Sequence, residues 1–169
     1  MRINKLALTN FRSYNSLGLE LEPGVITFIG DNGSGKTNIA ESLIYLAFLS
    51  SHRVANNVPL ISLGNQQAII RAEVQRDERT LQIDLEINAS KANRARINGN
   101  PTRSQRELLG AIQIVYFSPE DLDLVRGEPG NRRDFLDRLL ITRTPRLAGV
   151  IADYERVVKQ RNALLKTRT

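Results

Sequence analysis

The eight residues Gly30-Asp31-Asn32-Gly33-Ser34-Gly35-Lys36-Thr37 are the part of this 169-residue chain best equipped for chemistry. They match G-x-x-x-x-G-K-[ST], in which the glycines let the backbone curl until successive N–H groups face a phosphate. Lys36 supplies a point charge for β- and γ-phosphates, and the Thr37 hydroxyl suits Mg²⁺. A helix starting near Lys36 adds its positive dipole end. The expected cofactors are therefore ATP and Mg²⁺. Gly30, Asp31, Asn32, Gly33, Ser34, Gly35, Lys36, Thr37 and Asn38 bind the nucleotide, with Lys36 as the catalytic cation and Thr37 as the metal ligand.

Hydrolysis also needs a carboxylate beside the metal, at the end of a neighbouring strand. The segment "IQIVYFSPEDL", Ile112–Leu122, offers Glu120 and Asp121. Ser118 and Pro119 stand between those acids and the apolar run. Together the four residues also make a helix start, with a serine cap and proline at the first helical position. Both readings stand at this point.

The elements around the loop follow from periodicity. Arg2–Thr9 alternates as a strand, Leu17–Leu21 is a second short strand, and "EPG" at Glu22–Gly24 is a turn. Val25–Ile29, apolar but for Thr27, has the pattern of a strand buried on both faces. After Thr37, Ile39, Leu43, Leu46 and Ala47 recur at helical spacing to about Leu49. Gln67–Gln75 and Thr80–Ile87 alternate as a hairpin, and Arg94–Ile97 before "NGNP" is a further strand and tight turn. Ser104–Leu109 reads as a short helix and Ile112–Phe117 as another buried strand. Two apolar helical stripes follow Gly130, broken around Thr144-Pro145. The organisation is thus an α/β core over 1–117 and the start of a helical subdomain over 118–169.

The charge is unevenly placed. The chain carries a net +6, but residues 1–90 hold 8 Lys/Arg against 9 Asp/Glu, and residues 91–169 hold 16 against 9. Most of the cations are arginine, whose planar fork suits phosphate. That basic half fits a nucleic-acid partner, and equally a solvated face or an acidic protein segment. With no cysteine, disulfides and cysteine metal sites are excluded. The start, "MRINKLALTNFRSY", lacks the run of a signal peptide, and Leu43–Leu49 is too short to span a bilayer. A cytoplasmic protein with no membrane partner is expected.

The stretches "LALTNFRSY" and "GVITFIGDNGSGKTNIAES" resemble the N-terminal head of SMC-like ATPases. More specifically, "FSPEDLDLVRGEPGNRRDFLDRLL" and "YERVVKQRNALLK" are similar to the RecF family of bacterial recombination mediators, in an actinobacterial style. The resemblance implies a P-loop NTPase of the ABC-ATPase head type. It also implies ATP sandwiched in an ATP-dependent homodimer, weak hydrolysis, and DNA binding at single-/double-strand junctions or gaps. A RecR-like mediator is the implied partner in loading recombinase. In that family a serine-glycine signature loop and an acidic strand lie in the C-terminal half. Neither is found here, so the chain is read as an N-terminal fragment that binds nucleotide and turns it over poorly.

The resemblance also assigns single residues. Arg12 falls on the family's "F-R" position near the nucleotide. Arg132 and Arg133 match paired arginines that touch DNA, the partner head or helix carbonyls. Where the family places a metal-reaching glutamine, this chain reads Ser118-Pro119-Glu120, with Gln113 earlier in the run. Independently, Arg94, Arg96, Arg103 and Arg106 flank a hairpin turn and are candidates to grip DNA phosphates. His52, the lone histidine, reads as structural or DNA-facing. Two other readings remain: a small P-loop kinase using Glu120 or Asp121 and the Arg132/Arg133 pair, and an interaction module with a vestigial loop. Against the kinase, two strands precede the loop strand.

Overall fold

The alternating segments form one antiparallel sheet. β1 (Arg2–Phe11), β2 (Tyr14–Glu20), β3 (Gln67–Arg76), β4 (Arg79–Asn88), β5 (Arg94–Ile97) and β6 (Asn100–Pro101) lie in the order β2-β1-β3-β4-β5-β6. This computed structural model describes residues 1–166 except His52 and Ala55, and the backbone but not the side chains of Glu120 and Asp123. The expectation for His52 lies outside the described residues. Period-2 alternation puts Leu6, Leu8, Ala68, Ile70, Ala72, Val74, Ile83, Leu85, Ile87 and Ala95 on one buried face. The opposite face carries Lys5, Arg71, Glu73, Asp84, Glu86, Arg94 and Arg96. Asn98 and Gly99, with φ of 51° and 79°, make the tight β5–β6 turn that an Asn-Gly pair favours.

α1 (Lys36–Phe48) contributes Ile39, Tyr45, Leu46 and Ala47 to the same core. Phe11, Leu60, Leu108 and Ile112 complete it. The segment expected as a short helix near Ser104 is a 3-10 turn over Gln105–Leu108. Its capping box has Glu107 reaching back to the Ser104 N–H.

Two strands expected from apolar runs do not form. Val25–Ile29 has no regular structure, and Val25 and Ile29 are 97% and 91% exposed. In Ile112–Phe117, Ile112 makes a single bridge to Leu109, while Val115 and Phe117 are fully or largely exposed. A strand buried on both faces needs a neighbour on each edge and a layer on each side. Neither run pairs with the six-stranded sheet. An apolar run records a demand for burial without naming the partner that meets it.

The chain divides into two compact units between Ile114 and Val115, three residues before the boundary read from sequence. The second unit holds a 3-10 turn at Pro119–Leu122, α2 (Asp123–Arg126), α3 (Pro129–Arg143) and α4 (Leu147–Lys166). The Ser118 N–H donates to Asp121 Oδ2 at 2.7 Å, so the "SPED" segment is the helix start its residues suggested. Phe135, Leu136, Leu139, Leu140, Val150 and Tyr154 lie on α3 and α4, and no residue of either helix is buried. Among the described residues, no helix is long and apolar enough to cross a membrane.

Candidate functional site

The glycine loop enters α1 through Gly35, whose left-handed backbone (φ 97°, ψ 4°) turns the chain into the helix without a side-chain cap. Asn38 and Ile39 N–H groups reach back to the Gly35 carbonyl at 2.8 and 3.3 Å. The amides of Lys36 and Thr37 begin the helix and have no carbonyl one turn earlier to donate to, which is the arrangement that binds anions. Lys36 Nζ donates to the carbonyls of Gly30 and Asp31, both at 2.7 Å, and lies 3.4 Å from Ser34 Oγ. Its charge therefore sits inside the curl of the loop. Thr37 is exposed on the first turn of α1. N–H groups, one ammonium and one hydroxyl suit a polyphosphate and its magnesium.

The β1–β2 turn closes on this loop. Tyr14 donates its hydroxyl to the Ser34 carbonyl at 3.3 Å, and Asn38 Nδ2 donates to Ser13 Oγ at 3.0 Å. A Cβ at Gly35 would lie 2.7 Å from Ser13 Oγ and from the Tyr14 hydroxyl, so the close approach requires glycine.

The resemblance places Arg12 near the nucleotide, and the structure gives its guanidinium protein partners. Nε and Nη2 fork onto Glu41 at 2.9 and 2.6 Å, and Nη1 donates to the Pro59 carbonyl at 2.9 Å. Glu41, on α1, is completely buried. It also accepts from Ser51 Oγ at 2.5 Å and pairs with Arg53 Nη1 at 3.4 Å. Burial alone would raise its carboxyl. The hydrogen bonds from Arg12 and Ser51 and the charges of Arg12 and Arg53 outweigh that, and hold it below the usual glutamate range. Glu41 and Arg53 were missed in the sequence. The available signal was that Glu41 is the one charge in α1 after Lys36.

The remaining arginines are not one patch. Arg94, Arg96 and Arg103 line a cleft with Arg71, whereas Arg106 is not among its lining residues. The same cleft contains Asp84 and Glu86, and strand register sets Asp84 opposite Arg96 and Glu86 opposite Arg94. Arg71 also pairs with Asp84 at 3.5 Å. In the helical unit, Arg132 Nη1 donates to the carbonyls of Leu124 and Gly127, at 3.2 and 3.1 Å, where α2 ends. Helix carbonyls, one of the three partners read for this residue, are thus among its contacts. Arg133 faces a separate groove along α3 and α4. Asp121 is occupied by Ser118, and the Glu120 side chain lies outside the described residues. Among the described residues, no three His, Cys, Asp or Glu side chains cluster to hold a metal.

Residues 1–126, which include the whole loop, match the model of the AAA ATPase domain family. The chain belongs to the AAA ATPase domain family. The likeness to RecF read from the sequence is also borne out. A "DNA replication and repair protein RecF" from Renibacterium salmoninarum is 60% identical over 168 residues, covering 99% of this chain and 42% of the relative. One from Streptomyces avermitilis is 53% identical over 167 residues, covering 99% and 45%. This AAA ATPase domain chain thus spans less than half the length of the curated relatives it matches. Solved structures of the recombination mediator protein RecF-ATPrS and RecF-ATP, in the RecFOR pathway, superpose with TM-scores of 0.90 and 0.85. Both are 27% identical and cover 98% of this chain, and 45% and 46% of theirs. A structure concerned with ATP-driven dimerization and DNA stimulated activation of SMC ATPases matches at TM-score 0.64. At 21% identity over 81% of this chain and 98% of that one, it shows the fold alone. The expected ATPase-head fold stands.

Proposed function

We propose that this chain is the nucleotide-binding half of a RecF-type DNA-repair ATPase. Gly30–Asn38 grips the phosphates of ATP, Lys36 neutralises charge at the β- and γ-phosphates, and Thr37 holds Mg²⁺. With Mg²⁺ held at that hydroxyl, its charge would help offset the charge developing on the phosphates. The observation that carries this reading is the Lys36 ammonium held inside the curled loop at the start of α1. The 98% coverage by RecF-ATP structures supports it. The whole cytoplasmic protein would dimerise with ATP, hydrolyse it weakly, bind DNA at junctions or gaps, and assist recombinase loading with a RecR-like partner.

Isothermal titration with Mg-ATP tests the reading. The wild-type chain is expected to bind without appreciable turnover, and Lys36→Ala to weaken binding about tenfold or more, as for removal of a charged hydrogen bond. Absence of binding by the wild type, or equal binding by Lys36→Ala, would reject the nucleotide site. Robust hydrolysis would reject the reading as half of a catalytic unit, since the RecF resemblance puts the signature loop and acidic strand in the family's C-terminal half.

DNA contact is proposed for Arg94, Arg96 and Arg103, supported by their shared cleft with Arg71. Asp84 and Glu86 offset part of that charge, so the cleft is expected to contribute salt-sensitive backbone contacts rather than base recognition. For the protein bound to duplex–gap DNA, Arg94→Glu with Arg96→Glu should lower affinity at every sequence. The slope of log K against log salt should shrink by about one for each phosphate that is no longer neutralised. An unchanged slope would remove these arginines from the DNA interface. Arg106, Arg132 and Arg133 are secondary candidates, and Arg132 is the weakest because its guanidinium already serves α2.

A further inference from the structure

Glu41 is the one carboxylate that is buried among the described residues, and it sits one helical turn beyond Thr37. Arg12, its bidentate partner, has a left-handed backbone with φ 54°. A bulky non-glycine residue holds that conformation only where its surroundings over-determine it. Here the fork onto Glu41 and the bond to the Pro59 carbonyl do so. The next two residues of the same turn are the ones that touch the phosphate loop. Ser13 Oγ accepts from Asn38, the Tyr14 hydroxyl donates to Ser34, and both abut Gly35.

We propose that Arg12 and Glu41 are a positioning pair for the nucleotide site. Glu41 locks the β1–β2 turn through Arg12, and the turn sets the curl of the loop by pressing Ser13 and Tyr14 against Gly35. Arg12 then acts on the phosphates through backbone shape and does not touch them. To reach a phosphate directly, its side chain, 16% exposed, would have to leave a buried carboxylate. That carboxylate would lose its bidentate partner, a costly exchange. The proposal rests on the nucleotide-site reading but makes a prediction opposite to direct phosphate contact.

The deciding variant is Glu41→Gln, compared with Arg12→Gln and the double variant in the 169-residue chain. Each is titrated with Mg-ATP and Mg-ADP at a temperature where circular dichroism shows it folded. A positioning pair predicts that each single variant weakens both nucleotides alike, by about ten- to a hundredfold, the scale of losing one charged hydrogen bond to a phosphate. The double variant should be no weaker than the singles, because one device has been removed twice. Direct phosphate contact predicts the reverse. Neutralising Glu41 would raise the local positive potential and tighten binding, while Arg12→Gln would penalise ATP more than ADP. Either of those results, or wild-type affinity in folded variants, overturns the proposal. If Glu41→Gln does not fold, Arg12→Lys keeps the charge but gives up the fork, and is expected to show the same equal weakening. Hydrogen exchange of the amides over residues 33–38, without nucleotide, separates this idea from the site reading. It should accelerate in Glu41→Gln even if the wild type binds no nucleotide, and unchanged exchange overturns the pair.

Discussion

Gly35→Ala is expected to abolish detectable nucleotide binding while leaving the sheet intact. Gly35 has φ 97°, where a side chain is strained regardless of space. An alanine Cβ would also stand 2.7 Å from Ser13 Oγ and the Tyr14 hydroxyl, and 2.8 Å from Tyr14 Cζ. Tyr14 cannot swing aside cheaply, because it opens β2 opposite Phe11 and packs against the core. The relief must come from the turn or from the loop, and either displaces the Lys36 and Thr37 amides. Pulling those amides off a phosphate forfeits charged hydrogen bonds, about a hundredfold or more in affinity, and the backbone strain adds about 1–3 kcal/mol of lost stability. Gly33→Ala is the control: φ is 85°, but nothing lies within 4 Å of its Cβ. It should lose about 1–2 kcal/mol to backbone strain and retain more affinity than Gly35→Ala. Titration with Mg-ATP and thermal denaturation read both effects. Equal affinity in the two variants would mean that the approach of the β1–β2 turn has no part in shaping the loop.

That contrast shows where sequence reading succeeds in this chain. The motif located Gly35, and strict alternation located β1, β3 and β4, because a half-buried strand writes its inward face into every second residue. The Asn98-Gly99 turn was equally legible, since few residue pairs tolerate two positive φ values. Val25–Ile29 and Ile112–Phe117 misled because runs broken only at Thr27 and Gln113 carry too little alternation to give an address for a partner strand. The arginines misled differently. Arg94 and Arg96 look like a free basic pair in the sequence, but register brings Glu86 and Asp84 opposite them, from residues that read as an ordinary strand. Likewise, Arg12 and Glu41 are separated by the whole glycine loop. The fork between them follows from the hairpin folding back on α1, and no local pattern encodes that.

Glu41→Ala should cost about 3 kcal/mol of unfolding free energy at neutral pH, measured by urea denaturation. Breaking a buried pair by removing one partner typically costs about 3–5 kcal/mol, and the lower end applies because Arg53 and part of Arg12 reach solvent. Removing Arg12 as well should restore part of the stability, since the unpaired guanidinium is what makes the single change expensive. Acid supplies an independent check. Burial pushes the Glu41 carboxyl up, but the Arg12 and Ser51 hydrogen bonds and the two guanidinium charges prevail, so its folded value lies below its unfolded one. A group shifted that way contributes fully above the ordinary glutamate range and loses its contribution as pH falls through the depressed folded value. The stability gap between wild type and Glu41→Gln should therefore hold steady near neutrality and narrow below the ordinary glutamate range, because protonation leaves the wild type with the same neutral side chain. A gap that persists unchanged at low pH would show that the pair is held by shape and hydrogen bonding, with the ionised carboxylate contributing nothing.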